Sequence, residues 1–191
     1  MTIAGVVLAG GQSSRYGEPK MFEQYNGKPF YQYSVNALAQ NHLSPIIIST
    51  NELLATAFHD SRATLLIETQ FHNGPLFALH NVMSHTPGPE WFFVLSADIP
   101  FITADFISEM IELIQPGFQA VVPRQGNKLN PLLALYHCSC LPMMNTLIME
   151  NKRSMMALLN QVKFKTIQYD HQERLFTNIN SKDDFKKYIG E

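Results

Sequence analysis

Residues 6–20 read Val-Val-Leu-Ala-Gly-Gly-Gln-Ser-Ser-Arg-Tyr-Gly-Glu-Pro-Lys. In this stretch an apolar strand runs directly into a glycine-rich loop that carries two cationic side chains. Because Gly10 and Gly11 lack a Cβ, their backbone can take positive φ, and their amide N–H groups can close on phosphate oxygens without a side chain intervening. Arg15 offers a planar fork that holds phosphate at two points, and Lys20 is a compact point charge. The stretch predicts a polyphosphate-binding loop after the first strand.

Two familiar phosphate loops do not fit the spacing of these glycines. A dinucleotide fingerprint requires G-x-G-x-x-G, whereas the glycines stand at positions 10, 11 and 17. A Walker loop requires a second glycine five residues after the first, followed by Lys, but Arg15 and Tyr16 occupy those positions and no Lys follows Gly17. The loop is therefore of a third kind, and the plain alternative is a Gly-Gly turn with solvated charges.

The composition limits the classes of protein to which the chain can belong. A length of 191 residues fits one domain with a sizeable core, and an apolar share of 46% is ordinary for a globular protein. The formal net charge of −2 gives no basic field, so nucleic acid is not an expected partner. The sequence has no apolar run of membrane-spanning length and no secretion signal. We expect one cytoplasmic domain, residues 1–191, with no membrane partner.

Apolar segments alternate between strand-like and helix-like spacing, which is typical of a mostly parallel sheet with helices on both faces. The predicted strands are 3–8, 45–50, 64–68, 91–96, 119–123, 132–137 and 164–169. The predicted helices are 29–40, 51–58, 75–85, 104–114, 142–150 and 154–159, followed by a last helix that Ser181 can cap. The sequence therefore predicts an α/β fold with a three-layer α/β/α, Rossmann-like, mostly parallel sheet.

Asp98 directly follows the fourth predicted strand, within Leu-Ser-Ala-Asp-Ile-Pro. Open sheets of this type bind ligands beyond the carboxyl ends of their strands, so this carboxylate and the glycine loop should share one edge. Magnesium usually takes one or two protein carboxylates alongside substrate phosphates. Asp98 is therefore the predicted Mg²⁺ ligand, and its alternative role is to cap the turn before Pro100.

The loop resembles the signature Leu-Ala-Gly-Gly-x-x-x-Arg-x-Gly-x-x-Lys of the bacterial molybdenum cofactor guanylyltransferases, which have the nucleotide-diphospho-sugar transferase fold. Similar segments follow in the family's order at 26–29, 74–76, 98–100, 131–135 and 178–180, so the resemblance covers nearly the whole chain. The related cytidylyltransferases usually have Leu-Ala-Ala-Gly in the loop. The double glycine therefore favours the guanylyltransferase branch.

The resemblance implies that a terminal phosphate of an acceptor attacks the α-phosphorus of GTP and that pyrophosphate leaves. It implies molybdopterin (Mo-molybdopterin) as the acceptor, and it allows other proteins of molybdenum cofactor biosynthesis as partners. Such chemistry relies on positioning and fixed charge. Arg15 and Lys20 would hold the triphosphate and Asp98 would hold Mg²⁺, and these three are the expected catalytic residues.

By the same resemblance, the base and ribose of GTP rest near Leu8, Ala9 and Gly10, and the phosphates lie at Gly11 and Lys20. Further nucleotide contacts come from residues that end neighbouring strands: Ser49, Asn51, Glu68 and Asp98. Two positions depart from the family's pattern. The family usually has Asp close to the Glu68 position, and it tends to have a small residue and then glycine where this chain has Phe-Ala at 77–78.

The second half of the chain carries the candidate acceptor contacts. A polar loop at 124–131 includes Asn130, and its charged residues Arg124 and Lys128 fit a binding role and a solvated role equally well. Loop 124–131 therefore predicts an acceptor site, with a nucleotide half at about 1–103 and an acceptor half at about 104–191.

Two further asparagines complete the expected acceptor set. Asn178 and Asn180 alternate on a short predicted strand and hence point the same way. Their amides suit a pterin or a metal-bound phosphate, although Asn before a helix is also ordinary turn chemistry.

Cys138 and Cys140 lie two residues apart beside His137, a spacing that raises the question of a metal clip. A closed zinc site takes four ligands, and no companion cluster of His or acidic residues stands at ligand spacing. We therefore expect no metal here, and we expect both thiols on one side of a strand end.

Two other functions stay open. One is a cytidylyltransferase or sugar-phosphate nucleotidyltransferase of the same fold, which base selectivity would distinguish. The other is a protein that binds nucleotide or cofactor without turnover. Absence of pyrophosphate release with every acceptor would favour this non-catalytic binding protein.

Overall fold

The computed structural model describes residues 1–11, 18–68, 73–170, 174–177, 179 and 182–188. The strands in this part of the chain are β1 (Ile3–Leu8), β2 (Gln24–Tyr25), β3 (Lys28–Pro29), β4 (Ile46–Asn51), β5 (Ala63–Glu68), β6 (Trp91–Ser96), β7 (Ala120–Gln125), β8 (Lys128–Leu129), β9 (Leu133–His137) and β10 (Phe164–Tyr169). The α-helices are α1 (Phe30–Gln40), α2 (Glu52–Ala55), α3 (Pro75–His85), α4 (Ala104–Glu112), α5 (Leu141–Met149), α6 (Met155–Leu159) and α7 (Lys182–Tyr188). Short 3-10 turns cover Lys20–Phe22, Cys138–Cys140 and Arg174–Phe176. No helix in the described ranges is long and apolar enough to cross a membrane.

Eight strands form one sheet in the order β10-β7-β9-β6-β1-β4-β5, with β8 paired to β7 outside this path. β1 is parallel to β6 and β4, and β4 is parallel to β5. β9 lies antiparallel between β6 and β7, so that β7 and β10 again run in the direction of β1. All strands of the sheet except β8 and β9 therefore end at one edge, which we call the carboxyl edge.

Helices cover both faces of the sheet because alternate strand residues point to opposite sides. On β1, Val7 belongs to the apolar cluster beneath α1 and α4, whereas Val6 belongs to the cluster beneath α3, α5 and α6. On β6, Phe93 and Phe92 divide between the same two clusters. The α/β fold with three layers is confirmed.

The predicted strands and helices occur in the predicted order, with differences at their ends. The helix predicted at 51–58 is shorter in the structure, where α2 ends at Ala55. After it, Ala57 N–H and Phe58 N–H donate to the carbonyls three residues back, so the chain turns more tightly than an α-helix. There the Phe58 ring packs edge-on to that of Tyr31. Predicted strand 119–123 continues to Gln125, because the Pro123 carbonyl accepts from Asn130 N–H and the strand pairs with β8.

The expectation for the two cysteines is wrong. Residues Cys138–Cys140 form a 3-10 turn after β9 rather than the end of a strand. Cys138 is exposed and Cys140 is buried, so the two thiols do not share a side. Across the described part of the chain, no group of three or more His, Cys, Asp or Glu residues is placed to hold a metal ion.

Candidate active site

The middle of the carboxyl edge lies where β1 ends. Leu8 is level with Ser49 on β4 and with Ser96 on β6. The pairing continues for one more residue, since Ala9 N–H donates to the Ser49 carbonyl over 2.8 Å. Gly10 therefore follows a strand that lies between two parallel neighbours, which is the position where sheets of this type bind ligands.

Lys20 and Asp98 meet directly at this edge. The Nζ of Lys20 lies 2.7 Å from the Oδ2 of Asp98, and the two side chains are 11% and 21% exposed. Lys20 opens the 3-10 turn at Lys20–Phe22, and Asp98 lies two residues beyond β6. The fold thus brings together two of the three predicted catalytic residues.

The other oxygen of the Asp98 carboxylate is also held. The hydroxyl of Ser96 donates to Oδ1, and the carbonyl of Ser96 in turn accepts from the hydroxyl of Ser34 on α1 over 3.2 Å. Sequence reasoning did not identify Ser96 and Ser34, although Ser96 lies on the same strand two residues before the carboxylate. These contacts fix the direction of the Asp98 side chain.

The donor set around Asp98 fits a hard divalent cation with mostly non-protein ligands. Asp98 is a single carboxylate, partly exposed at the carboxyl edge and beside a lysine. Magnesium keeps several waters and binds through one or two carboxylates plus substrate phosphates.

Gly10 is required by its neighbour and not by its backbone angle. Neither Gly10 nor Gly11 has a positive φ, so the left-handed backbone that glycine permits is not used at these two positions. A Cβ on Gly10 would lie 3.3 Å from Oε1 of Glu68, whereas a Cβ on Gly11 would meet no described residue within 4 Å. Glycine at position 10 therefore lets the Glu68 carboxylate lie against the loop backbone.

Glu68 is a buried carboxylate at the end of β5. It is 8% exposed, and its Oε1 accepts from the hydroxyl of Ser49 over 2.8 Å. Ser49, predicted to contact the nucleotide, thus orients Glu68. A buried charge is retained only where partners satisfy it, so this carboxylate is fixed beside the first residue of the glycine loop.

Asn51 caps a helix at the same edge. Its side-chain oxygen accepts from Leu54 N–H over 3.2 Å at the start of α2, and the residue is 8% exposed. Asn is a preferred N-cap residue because it satisfies an otherwise unpaired helix N–H. A nucleotide contact through Asn51 stays a prediction.

Asn130 lies farther along the edge, in the connection from β8 to β9. Its backbone N–H donates to the Pro123 carbonyl and its carbonyl accepts from Leu133 N–H. Its side chain is buried, and within the described residues its Nδ2 has no acceptor. The same holds for Nε of Arg124, which the sequence left undecided between binding and solvation.

Tyr136 anchors the loop that carries Asn130. Its hydroxyl donates to the Pro131 carbonyl over 2.8 Å from a fully buried position on β9. Burial raises the pKa of Tyr136 well above its ordinary value, with a smaller contribution from Cys140. The phenol therefore stays a neutral donor, and the start of β9 is held in place.

Three predicted site residues, Arg15, Asn178 and Asn180, lie outside the described residues, as does the predicted helix cap Ser181.

The structure shows a contact of Gly74 that the sequence did not reveal. Gly74 has a φ of 83°, and a Cβ on it would lie 2.8 Å from the Arg153 carbonyl. That carbonyl accepts from Leu76 N–H, so the start of α3 rests on the chain before α6.

Comparison with known proteins agrees with this geometry. Residues 5–167 match the family model described as MobA-like NTP transferase domain. A probable molybdenum cofactor guanylyltransferase of Bacillus cytotoxicus is 28% identical over 193 residues, with 98% of this chain and 96% of the relative covered. One of the same description from Bacillus cereus strain B4264 is 30% identical over 188 residues, with coverages of 95% and 93%.

Solved structures share the fold. Molybdopterin-guanine dinucleotide biosynthesis protein A from Archaeoglobus fulgidus has a TM-score of 0.76 and 20% identity, with 98% of this chain and 97% of that chain covered. A Mycobacterium tuberculosis protein in complex with manganese has a TM-score of 0.72 and 13% identity, with both chains fully covered. The resemblance stated from the sequence is confirmed, and the chain is a nucleotidyltransferase that belongs to the MobA-like NTP transferase family.

Proposed function

We propose that this protein transfers GMP from GTP to the phosphate of molybdopterin (Mo-molybdopterin), forming the guanine dinucleotide of the molybdenum cofactor and releasing pyrophosphate. The observation that carries the proposal is the contact between Lys20 and Asp98 beside the Gly10–Gly11 loop. A cation for phosphate and a carboxylate for a metal ion are the groups this transfer requires. The curated relatives are named probable molybdenum cofactor guanylyltransferases, and those names support guanylyl transfer in molybdenum cofactor synthesis.

In the proposed step an oxygen of the acceptor phosphate attacks the α-phosphorus of GTP. The bond from the α-phosphorus to the bridging oxygen of the β-phosphate breaks, and its electron pair leaves with pyrophosphate. Lys20 exchanges the Asp98 oxygen for a phosphate oxygen when GTP binds, and Arg15 acts with it. Fixed cations at this point stabilise the charge that accumulates on the leaving group.

Asp98 would hold Mg²⁺, with its carboxylate already directed by Ser96. When bound, the ion would neutralise negative charge on the nucleotide and acceptor oxygens and so reduce the repulsion between them. The manganese complex of a structural neighbour concerns that protein, and it supports the choice of a divalent ion here only through the shared fold.

Glu68 is the proposed reader of guanine. A carboxylate accepts two hydrogen bonds and donates none, which suits the adjacent N–H groups on the edge of guanine and not the corresponding edge of cytosine. Its buried position against Gly10 places it beside the loop where Leu8, Ala9 and Gly10 would carry the base and ribose. Ser49 holds the carboxylate, so it acts on the nucleotide through Glu68.

The acceptor would bind at the other end of the carboxyl edge. Among the described residues the Nδ2 of Asn130 has no acceptor, and Asn178 and Asn180 are proposed with it on the sequence pattern alone. This arrangement supports a nucleotide half at about 1–103 and an acceptor half at about 104–191. Partner proteins of cofactor biosynthesis and the cytoplasmic location stay predictions.

Pyrophosphate release tests the proposal. Purified protein is incubated with Mg²⁺, molybdopterin and either GTP or CTP, with the variants Lys20→Ala and Asp98→Ala beside it. Release with GTP that both variants lose supports the proposal. A preference for CTP would assign the chain to the cytidylyltransferases, and no release with either nucleotide would contradict a transferase acting on this acceptor.

A further inference from the structure

One aromatic ring ties the turn that carries Asp98 to the last part of the chain. Phe101 belongs to this turn, residues 97–101, which we call the Asp98 turn. The guanidinium of Arg174 lies over the Phe101 ring, with Cζ 4.7 Å from the ring centroid. Arg174 opens the 3-10 turn Arg174–Phe176, which follows β10. The contact therefore joins the C-terminal part of the chain to the carboxyl edge.

The same guanidinium also holds the end of the last described helix. Its Nη2 donates to the carbonyl of Tyr188, where α7 ends. The backbone carbonyl of Arg174 accepts from Thr177 N–H over 2.9 Å, which closes the 3-10 turn that presents the side chain. Arg174 therefore connects three segments: the Asp98 turn, its own 3-10 turn and the end of α7.

A small apolar cluster adjoins this contact. Phe30, at the start of α1, and Ile179 are fully buried in it. Three partly buried rings pack against the cluster: Tyr25, Phe101 and Tyr188. The ring of Tyr25 meets that of Phe101 edge-on, with the centroids 5.5 Å apart. The ring that Arg174 covers thus belongs to the cluster in which Ile179 is buried.

The place of Ile179 in the sequence indicates what this arrangement serves. Ile179 stands between Asn178 and Asn180, the two asparagines proposed to contact the acceptor. Arg174 precedes this stretch and α7 follows it, and the guanidinium contacts both the Asp98 turn and the end of α7. The described residues before, within and after the stretch are therefore all held near the turn that carries the proposed metal ligand.

We propose that Arg174 is a positioning residue for the acceptor, because its stacking on Phe101 holds segment 174–188 beside the Asp98 turn. This inference rests on the proposed function, which assigns part of the acceptor site to that segment. Arg174 takes part in no bond that forms or breaks. Its loss should lower the fraction of molecules in which the segment is correctly placed, and the apparent affinity for the acceptor falls with that fraction.

The chain offers a matched control at the opposite edge of the sheet. The Nζ of Lys163 lies 4.9 Å from the ring centroid of Phe118, and Lys163 is exposed, as Arg174 is. Lys163 directly precedes β10 and Phe118 lies shortly before β7, so this pair is at the edge away from Asp98. Lys163→Gln therefore removes a comparable cation–π contact without touching the candidate site.

The test is a titration of molybdopterin, followed by its own fluorescence, into protein loaded with a non-hydrolysable GTP analogue and Mg²⁺. Arg174→Gln removes a cation–π contact and a charged hydrogen bond, so it should weaken molybdopterin binding about 3- to 10-fold. Its affinity for the GTP analogue should not change. Arg174→Lys keeps a cation for the ring and should recover part of the loss. Lys163→Gln should stay within about twofold of the wild type.

Two further measurements separate this role from a general loss of stability. Because Arg174 acts through the ring of Phe101, combining Arg174→Gln with Phe101→Leu should weaken molybdopterin binding no more than the stronger single substitution. Without ligands, amides in 174–188 should exchange hydrogen faster in Arg174→Gln and at the wild-type rate in Lys163→Gln. Equal molybdopterin affinities for Arg174→Gln and Lys163→Gln, additive losses in the double variant, or faster exchange throughout the protein would overturn the inference.

The proposed function and this inference fail in different ways. Molybdopterin binding without GTP-dependent release of pyrophosphate would contradict the proposed function, while weaker binding by Arg174→Gln would still support the inference. Normal release by the wild type, with the same KM for molybdopterin in Arg174→Gln, would overturn the inference alone. Wild-type protein that does not bind molybdopterin would overturn both.

Discussion

The ammonium of Lys20 lies 2.7 Å from Oδ2 of Asp98, although 78 positions separate the two residues in the chain. The sequence predicts a different role for each residue: Lys20 binds phosphate, and Asp98 holds the metal ion. In the structure the two side chains form an ion pair. Binding of a metal nucleotide would supply both with new partners, which makes this pair the centre of the proposed site.

Replacing Lys20 with Ala should abolish most of the activity. Loss of one charge-stabilising group from a preorganised site typically lowers kcat about 10²- to 10³-fold. Steady-state kinetics of pyrophosphate release would measure it. The matched control is Lys152→Ala, because Lys152 also pairs with a carboxylate at 2.7 Å but is half exposed. Equal activities of the two variants would contradict the role of Lys20.

Replacing Gly10 with Ala should weaken GTP binding, and the matched change at Gly11 should affect it less. A Cβ at position 10 would lie 3.3 Å from the Glu68 carboxylate, whereas one at position 11 would meet nothing within 4 Å in the described part of the chain. The added methyl displaces either the loop or the carboxylate. Calorimetric titration with a GTP analogue is the measurement, and we expect about a tenfold difference between the variants. A weaker Gly11→Ala variant would mean that Glu68 does not set this requirement.

Replacing Glu68 with Gln should reduce the preference for GTP over CTP. The Gln side chain has an NH₂ donor in place of one of the two carboxylate oxygens that accept hydrogen bonds. A site that is built to hydrogen-bond one base discriminates strongly against a base that leaves its polar groups unpaired. We expect the ratio of kcat/KM values for the two nucleotides to fall at least about tenfold. Ser49→Ala, which removes the hydroxyl that holds the carboxylate, should shift the ratio in the same direction by less. An unchanged ratio in Glu68→Gln would place base recognition elsewhere.

Replacing Gly74 with Ala should lower stability more than the same change at Gly27. Both glycines have positive φ, at 83° and 72°, so each substitution carries a backbone cost of about 1–2 kcal/mol. Only the Cβ at Gly74 meets backbone, at 2.8 Å from the Arg153 carbonyl. Urea unfolding should therefore show a larger loss for Gly74→Ala, roughly 2–4 kcal/mol. Equal losses would mean that the contact with Arg153 relaxes freely.

The two cysteines should react at very different rates with a disulfide reagent. Burial raises the pKa of Cys140 to about 12, with smaller contributions from Cys138, which raises it, and His137, which lowers it. At pH 8 the Cys140 thiolate is therefore scarce as well as buried, whereas Cys138 is exposed. Native protein should show one fast thiol, and denatured protein two. Two fast thiols in native protein would contradict the buried position of Cys140.

Much of the fold could be predicted because each main strand and helix has its own apolar spacing. The two-residue strands β2, β3 and β8 show no such periodicity, since periodicity needs a longer window. The sequence gives a strand at 132–137 but not the direction in which it pairs. Its antiparallel insertion between β6 and β7 depends on residues distant in the chain.

For the candidate site too, local patterns predicted some features and residues distant in the chain determined others. Asp98 and the glycine loop could be assigned to one edge because parallel strands end together. The contact of Gly10 with Glu68 arises from tertiary packing, which no local pattern encodes. Ser96 lies on a predicted strand, but only the structure shows its hydroxyl on the Asp98 carboxylate.

The most direct test of the central claim follows the α-phosphate of the nucleotide. GTP labelled at the α-phosphorus, or separately at the γ-phosphorus, is incubated with the protein, Mg²⁺ and molybdopterin, and the products are separated. We predict α-label in the pterin product and γ-label in pyrophosphate, with neither product formed by Asp98→Ala. Retention of the α-label in free nucleotide, or α-label transfer only from CTP, would contradict the claim.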